Sequence, residues 1–217
     1  MALEWVRVRS VQAANPVRQN TSMPSQKAPP AIYRLKITLL EIEPPIWRTL
    51  QVSSSIKLCC LHDAIQVVMG WTDSHLHQFE KDGKYWGVPE WDEFDELDLK
   101  DEAKTKLGTI LKITGDSMIY SYDFGDDWQH EIQLEEIIPV EHELKVPICM
   151  GGERRCPPED VGGVSGYEEF LEALLDPAHE DYERLVLWCG GHFIDGFDAA
   201  PVHDQLQRMR WPIRHRR

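Results

Sequence analysis

The chain has 217 residues, 42% of them hydrophobic, and a net charge of −14. That is enough apolar material for a sizeable core, and no stretch reaches the roughly 18 apolar residues of a membrane span. The charge divides into +3 on residues 1–31, +5 on 208–217 and so −22 on the body, which repels a phosphate backbone.

Residues 1–31 are rich in Pro, Ser, Gln and Asn and read as a disordered basic tail, with Met23 as an alternative start. The tail lacks the apolar core of a secretory signal, and five cysteines (Cys59, Cys60, Cys149, Cys156 and Cys189) leave one over in any oxidised framework. A soluble protein in the reducing cytoplasm is expected. The stretch VRVRSVQ echoes the start of serine recombinases, but no recombinase domain follows it.

The folded body is expected over residues 32–211, followed by a basic tail, 212–217. Ile32 to Leu40 alternates as a strand with Tyr33, Leu35, Ile37 and Leu39 on one face. Glu43-Pro44-Pro45 turns the chain into a second strand, Trp47 to Val52; the prolines suggest that neighbouring backbone is not mid-sheet. Apolar residues at 58, 61, 65, 68 and 69 predict a helix over Leu58 to Met69, closed by Gly70. Short strands follow at His77 to Glu80 and Lys84 to Trp86 around Asp82-Gly83. The run Glu90 to Glu102, eight acids and one lysine, reads as a solvated loop. A helical turn near Leu107 precedes a hairpin of Met118 to Asp123 and Trp128 to Ile138. Beyond Pro147 only loops and helices are predicted, the helices over Ser165 to Leu175, Tyr182 to Trp188 and Val202 to Met209. The class is α+β: a mixed sheet with a helix across it, β-grasp-like in element order, and a C-terminal helical flank.

The segments PPIWR (44–48), GW…HLHQF (70–79), YDFGDDWQHEIQLE (122–135), C…RRCPPEDVGGVSGYEEFL (149–171) and GGHFIDGFD (190–198) resemble, in this order, the plasmid Ri open-reading-frame-three-like family. The resemblance implies a plasmid- or transposon-borne passenger protein, sometimes labelled resolvase, with no stated biochemical role. The family motif commonly has a cysteine where this chain has Val161.

Chemistry-bearing residues cluster in the same segments. Asp123, Asp126, Asp127, His130 and Glu131 surround one hairpin, where carboxylates beside an imidazole suit acid–base work or a divalent cation. Turn chemistry competes: Asp favours the backbone around Gly125, and His130 alternates in phase with Trp128 and Ile132 as a core residue would. His75 and His77 form an H-x-H, half a metal site on a strand, with His130 or Asp123 as third ligand; His75 capping the turn after Trp71 is the plainer reading. Cys149, Cys156, Cys189 and His192 offer a knuckle-like C-x2-H, although C-x6-C is too long for a standard knuckle. Glu159 and Asp160, on a loop stiffened by Pro157 and Pro158, are candidates for a cation, for a basic partner group, or for capping the next helix.

No Walker, Rossmann, nucleophile-elbow or H-E-x-x-H motif is present. The leading expectation is a non-enzymatic accessory protein whose acidic body, through residues 90–102 beside Trp86 and Trp91, takes a basic protein partner. A metal-dependent hydrolase or nuclease using His75, His77, Asp123, Asp126, His130 and Glu159 is the alternative. A third is DNA tethering through the basic termini.

Overall fold

The computed structural model describes residues 31–91, 98–191, 193 and 195–211. The expectations for the two tails, for the centre of the acid run and for His192 lie outside these residues. Eight strands form one sheet: β1 (Ala31–Leu39), β2 (Ile46–Ser53), β3 (His77–Lys81), β4 (Lys84–Gly87), β5 (Lys100–Asp101), β6 (Ser117–Tyr122), β7 (Trp128–Pro139) and β8 (Ile148–Glu153). Their spatial order is β5-β4-β3-β6-β7-β1-β2-β8. Every pairing is antiparallel except β4 with β5, so the sheet is mixed and the class is α+β. The likeness to a β-grasp stops at element order, because β1 meets β7 antiparallel, from Ala31 opposite Pro139 to Leu39 opposite His130.

The alternation read in β1 is the one realised: Tyr33, Leu35, Ile37 and Leu39 are buried, as are Ile46, Leu50 and Val52 of β2. Each such side chain contributes about 1.5–3 kcal/mol when taken fully from water. The prolines at 44 and 45 do form the turn, yet both strands they join sit inside the sheet, flanked by β7 and β8. Proline disrupts only a ladder it enters, and these two stay in the connection.

Helix α1 (Leu58–Met69) has the expected bounds and ends on Gly70 in the left-handed region, φ 85°. It is buried on more than its apolar stripe: His62, Asp63 and Gln66 are covered as well. Helices α2 (Gly163–Leu175), α3 (Tyr182–Trp188) and α4 (Ala199–Arg208) make the C-terminal flank, with Asp198 capping α4 by accepting from the Ala200 N–H. No helix among the described residues is long and apolar enough to cross a membrane.

Strand β8 replaces what the sequence suggested was loop. Its paired glycines weaken the strand pattern, but Gly152 is a packing requirement: a Cβ there would lie 2.6 Å from the Trp47 carbonyl oxygen and 2.7 Å from Arg48 Cδ.

That Arg48 side chain is the largest charged group in the core, 1% exposed. Its Nε–H donates to the Val68 carbonyl at 2.8 Å, Nη1 to those of Trp47 (2.8 Å) and Glu153 (2.9 Å), and Nη2 to Cys156 Sγ (3.1 Å). The guanidinium lies 3.8 Å from the Phe197 ring centre. One planar fork thus joins β2, the last turn of α1, β8 and the segment beyond β8. The Val68 carbonyl is one that a helix C-terminus leaves without an intrahelical partner, and it carries the negative end of the helix dipole.

Two predictions arise from this core. Replacing Arg48 with Met leaves buried carbonyls without donors and should cost about 3 kcal/mol or more; Arg48→Lys should recover only part, since an ammonium cannot span the same acceptors. Urea unfolding with an unchanged midpoint in Arg48→Met would rule the clamp out. His130 is fully buried, and burial lowers its imidazole to about 4. Between about pH 6.5 and pH 4 only the unfolded chain takes that proton, so stability falls as pH drops through this window, by about 3 kcal/mol from this group. A His130→Gln variant should lose that slope when stability is measured against pH; an identical slope would show that other groups carry it.

Candidate functional site

The loops at one end of the sheet gather the chemistry-bearing motifs. Residues 71–76 lead from α1 into β3, residues 123–127 turn β6 into β7, and residues 156–162 lead from β8 to α2. They are fastened to one another. Trp71 Nε1–H donates to the Pro157 carbonyl at 3.0 Å, and the Gly162 N–H donates to Asp126 Oδ2 at 3.1 Å. Glu159 accepts from the Thr72 N–H (3.2 Å), the Thr72 hydroxyl (2.5 Å) and the Tyr122 hydroxyl (2.5 Å). Those bonds hold the Glu159 carboxyl below its ordinary range against the opposing effect of burial, whereas burial and the same carboxylate hold the Tyr122 phenol protonated. Gly163 completes the join, since a Cβ on it would lie 2.6 Å from the Asp126 carbonyl oxygen.

The H-x-H pair is divided between two clusters. His75 precedes β3, and its Nε2 lies 3.1 Å from Asp160 Oδ1 and 3.5 Å from Asp123 Oδ2. His77 opens β3 and faces a cleft of about 700 Å³, walled by Cys59, His62, Asp73, Val88, Trp91 and Asp101 among others. There its ring stacks on His62, with centroids 3.5 Å apart and planes 6° from parallel.

Hydrogen bonding fixes the proton positions around this stacked pair. His62 Nε2 is 2.8 Å from Asp73 Oδ1, and a carboxylate can only accept, so this nitrogen carries the proton. Its Nδ1 must then accept from the Tyr120 hydroxyl at 2.8 Å, and that oxygen accepts from Gln66 Nε2 at 3.1 Å. Gln66 Oε1 closes the ring by accepting from the Asp73 N–H. By the same logic His77 Nε2 donates to Glu102 Oε2 at 2.9 Å. His77 Nδ1 is buried and has no hydrogen-bond partner. Glu102 belongs to the run expected to be solvated, yet it is buried by this bond, while Lys100 and Asp101 add β5 to the sheet beside β4.

The remaining candidates go elsewhere. Asp123 is buried, and its Oδ1 accepts from the Gly125 and Asp126 N–H groups, the Asx-turn role its sequence context suggested; its Oδ2 faces His75. Asp126 braces Gly162, and Asp127 accepts from the Gln129 side chain. His130 is a core residue whose Nδ1 meets the Tyr120 carbonyl at 3.2 Å, edge-on to Trp71. It joins neither cluster. Cys156 is committed to Arg48 and Met69, and burial pushes its thiol up to about 11, which disfavours the thiolate a metal needs. Cys149 is buried with its thiol likewise raised by burial, and Cys189 Sγ turns back to the Gly191 carbonyl at 3.0 Å. Among the described residues no cysteine enters a group that converges on one point.

Sequence reasoning passed over His62, Asp73 and Tyr120. The available signal was His62 and Gln66, one helical turn apart within the apolar pattern of α1, where two polar side chains need buried partners.

The family model described as Plasmid pRiA4b ORF-3-like protein matches residues 31–204. The protein "Uncharacterized protein y4hQ" of Sinorhizobium fredii (strain NBRC 101917 / NGR234) is 38% identical over 178 residues, covering 82% of this chain and 90% of its own. The crystal structure of the protein of unknown function MM3350 from Methanosarcina mazei Go1 is similar with a TM-score of 0.71 and 40% identity, covering 79% of this chain and 97% of that one.

Burial lowers the His62 imidazole, Asp73 opposes that shift, and the neighbouring His77 adds to it. In imidazole NMR titrations, His77→Gln should therefore move the His62 midpoint up, and Asp73→Asn should move it down. A His62 midpoint indifferent to both changes would dissolve the stacked pair as an electrostatic unit.

Proposed function

Because the chain belongs to the plasmid pRiA4b ORF-3-like family, we propose that it is an accessory interaction protein of a mobile element, one that receives a cationic side chain of a basic partner in the His62–His77 cleft. The observation that carries this reading is the composition of the cleft wall. Among the described residues it presents Asp73, Glu90, Asp101 and Glu102 and no lysine or arginine, although Lys104 reaches Asp101 from beside it at 2.7 Å. His77 Nδ1, buried and without a partner on this wall, is a polar atom that a hydrogen-bonding group of an occupant can meet. Trp91 stands at the rim, 41% exposed, with its ring edge-on to His77 at 5.3 Å, where an aromatic can cover the stem of a lysine or meet its charge. The acidic residues 92–97 extend the same charge in sequence beyond Trp91.

A hydrolytic reading finds less support. Its six residues fall into separate places, with His130 in the core and Asp126 bracing a loop. Both nitrogens of His62 are engaged by Tyr120 and Asp73, so that imidazole has no site left from which to activate a nucleophile. Phosphate is a poor occupant of a cleft lined by carboxylates.

The test is a fluorescence anisotropy titration of the full chain with a labelled alternating Lys-Gly peptide and with the same peptide acetylated on every lysine. Saturable binding of the charged peptide is expected, weakened roughly tenfold by Trp91→Ala or Glu90→Gln and by deletion of residues 92–98. Binding should also weaken as salt rises past about 0.1 M, where the Debye length is about 10 Å. Equal binding of the acetylated peptide, or full affinity in the Trp91 and deletion variants, would overturn the proposal.

A further inference from the structure

The geometry points to a second site, beside the cleft that His75 also lines: we propose that His75, Asp123 and Asp160 bind a divalent transition-metal ion, zinc or manganese in class, which staples three loops together. The three residues come from three separate segments, residues 71–76, the β6–β7 turn and the loop before α2. One ligand atom from each lies within 4.8 Å of the other two.

The distances suit a shared ion better than a set of hydrogen bonds. Two ligand atoms each about 2.1 Å from a metal are about 3.0 Å apart at a right angle and about 3.4 Å apart at the tetrahedral angle. His75 Nε2 is 3.1 Å from Asp160 Oδ1 and 3.5 Å from Asp123 Oδ2. Despite that closeness, Nε2 is shut off from solvent and makes no hydrogen bond, so neither oxygen lies along its in-plane direction. The imidazole thus approaches two carboxylates without bonding to either, as it would with an ion between them.

Charge leads to the same conclusion. Asp123 and Asp160 place two carboxylates at one imidazole, and neither has a lysine or arginine partner among the described ion pairs. A divalent ion supplies the missing charge. The supporting contacts are already in place. Asp123 is oriented through Oδ1 by two backbone N–H groups, which leaves Oδ2 for the metal. The His75 ring is set edge-on against Tyr122, at 5.9 Å and 77°. Glu159, beside Asp160, is fixed by Thr72 and Tyr122 and so anchors the loop that brings Asp160 in. Asp160 is exposed, so water can complete the coordination shell.

The stacked pair nearby is the weaker competitor. An imidazole donates its lone pair in the ring plane, and the His62 and His77 rings are stacked with centroids 3.5 Å apart and planes 6° from parallel, so they cannot both aim at one ion without turning. One nitrogen with two carboxylate oxygens favours zinc or manganese over magnesium or calcium, which prefer oxygen alone.

Full-length protein freed of metal by chelation and dialysis is titrated with zinc chloride in a calorimeter, with its thermal midpoint followed in parallel. One zinc per chain and a raised midpoint are expected, with no comparable heat from magnesium chloride. Asp160→Asn, a change on an exposed side chain that the fold tolerates, should weaken zinc by roughly tenfold or more, as should His75→Gln. His62→Gln, which changes the stacked pair and its bonds to Tyr120 and Asp73 but none of the three proposed ligands, should keep the wild-type zinc affinity. Cobalt(II) added in place of zinc should give visible absorption bands that Asp160→Asn removes. The proposal fails if zinc gives no saturable heat, if Asp160→Asn and His75→Gln bind it as tightly as the parent, or if His62→Gln is the variant that loses it.

Discussion

A buried guanidinium that no carboxylate pairs with among the described residues sets the terms for one side of this molecule. Removing Arg48 from water is tolerable only because three carbonyls and a thiol receive its N–H groups and an aromatic ring covers its face. Those acceptors come from different parts of the chain, so the charge stays satisfied only while the end of α1, β2, β8 and the following loop keep their relative places. From Cys156 the constraint passes outward. Pro157 receives the Trp71 indole, Glu159 grips Thr72 and Tyr122, and Asp160 arrives beside His75. The surface chemistry is therefore positioned from the core.

The seven residues from Trp71 to His77 distribute that chemistry. The loop passes between the 156–162 segment and the cleft. His75 meets carboxylates from two other loops, while His77 stacks on His62 and takes Glu102 as its partner. The two histidines thus belong to groups of different geometry: one an imidazole between carboxylates, the other half of a stacked pair of imidazoles.

Elements with a clean local period were legible in the sequence. β1, β2, α1 and the β6–β7 hairpin appear within a residue or two of their expected bounds, because alternation, helical spacing and a glycine stop are local signals. β8 was not legible: Gly151 and Gly152 blur the pattern, and what makes it a strand is the edge of β2 and the bulk of Arg48 and Phe197 against Gly152. The candidate residues divide in the same way. Asp123, Asp160 and His75 stood out by type and by motif, but their convergence depends on the long-range joins between loops. His62 was marked only by its spacing from Gln66 within the apolar pattern of α1, and Glu102 ends an acidic run that reads as solvated. Their partners lie 11 to 58 residues away in the chain.

The position of β1 between β2 and β7 has a consequence for synthesis. A nascent chain can close the β1–β2 hairpin as soon as Ser53 is clear of the ribosome, but the other edge of β1 waits for the segment that ends at Pro139. At about 5–20 residues per second that interval lasts about 5–20 s, during which a strand that ends up inside the sheet has one unpaired edge. Arg34 and Lys36 alternate with its buried residues, and charges at such positions discourage pairing with a neighbouring nascent chain. The order of the strands thus makes β1 the first described strand to be translated and leaves one of its edges waiting for β7, while the outer edge of β2 waits longer still, for β8.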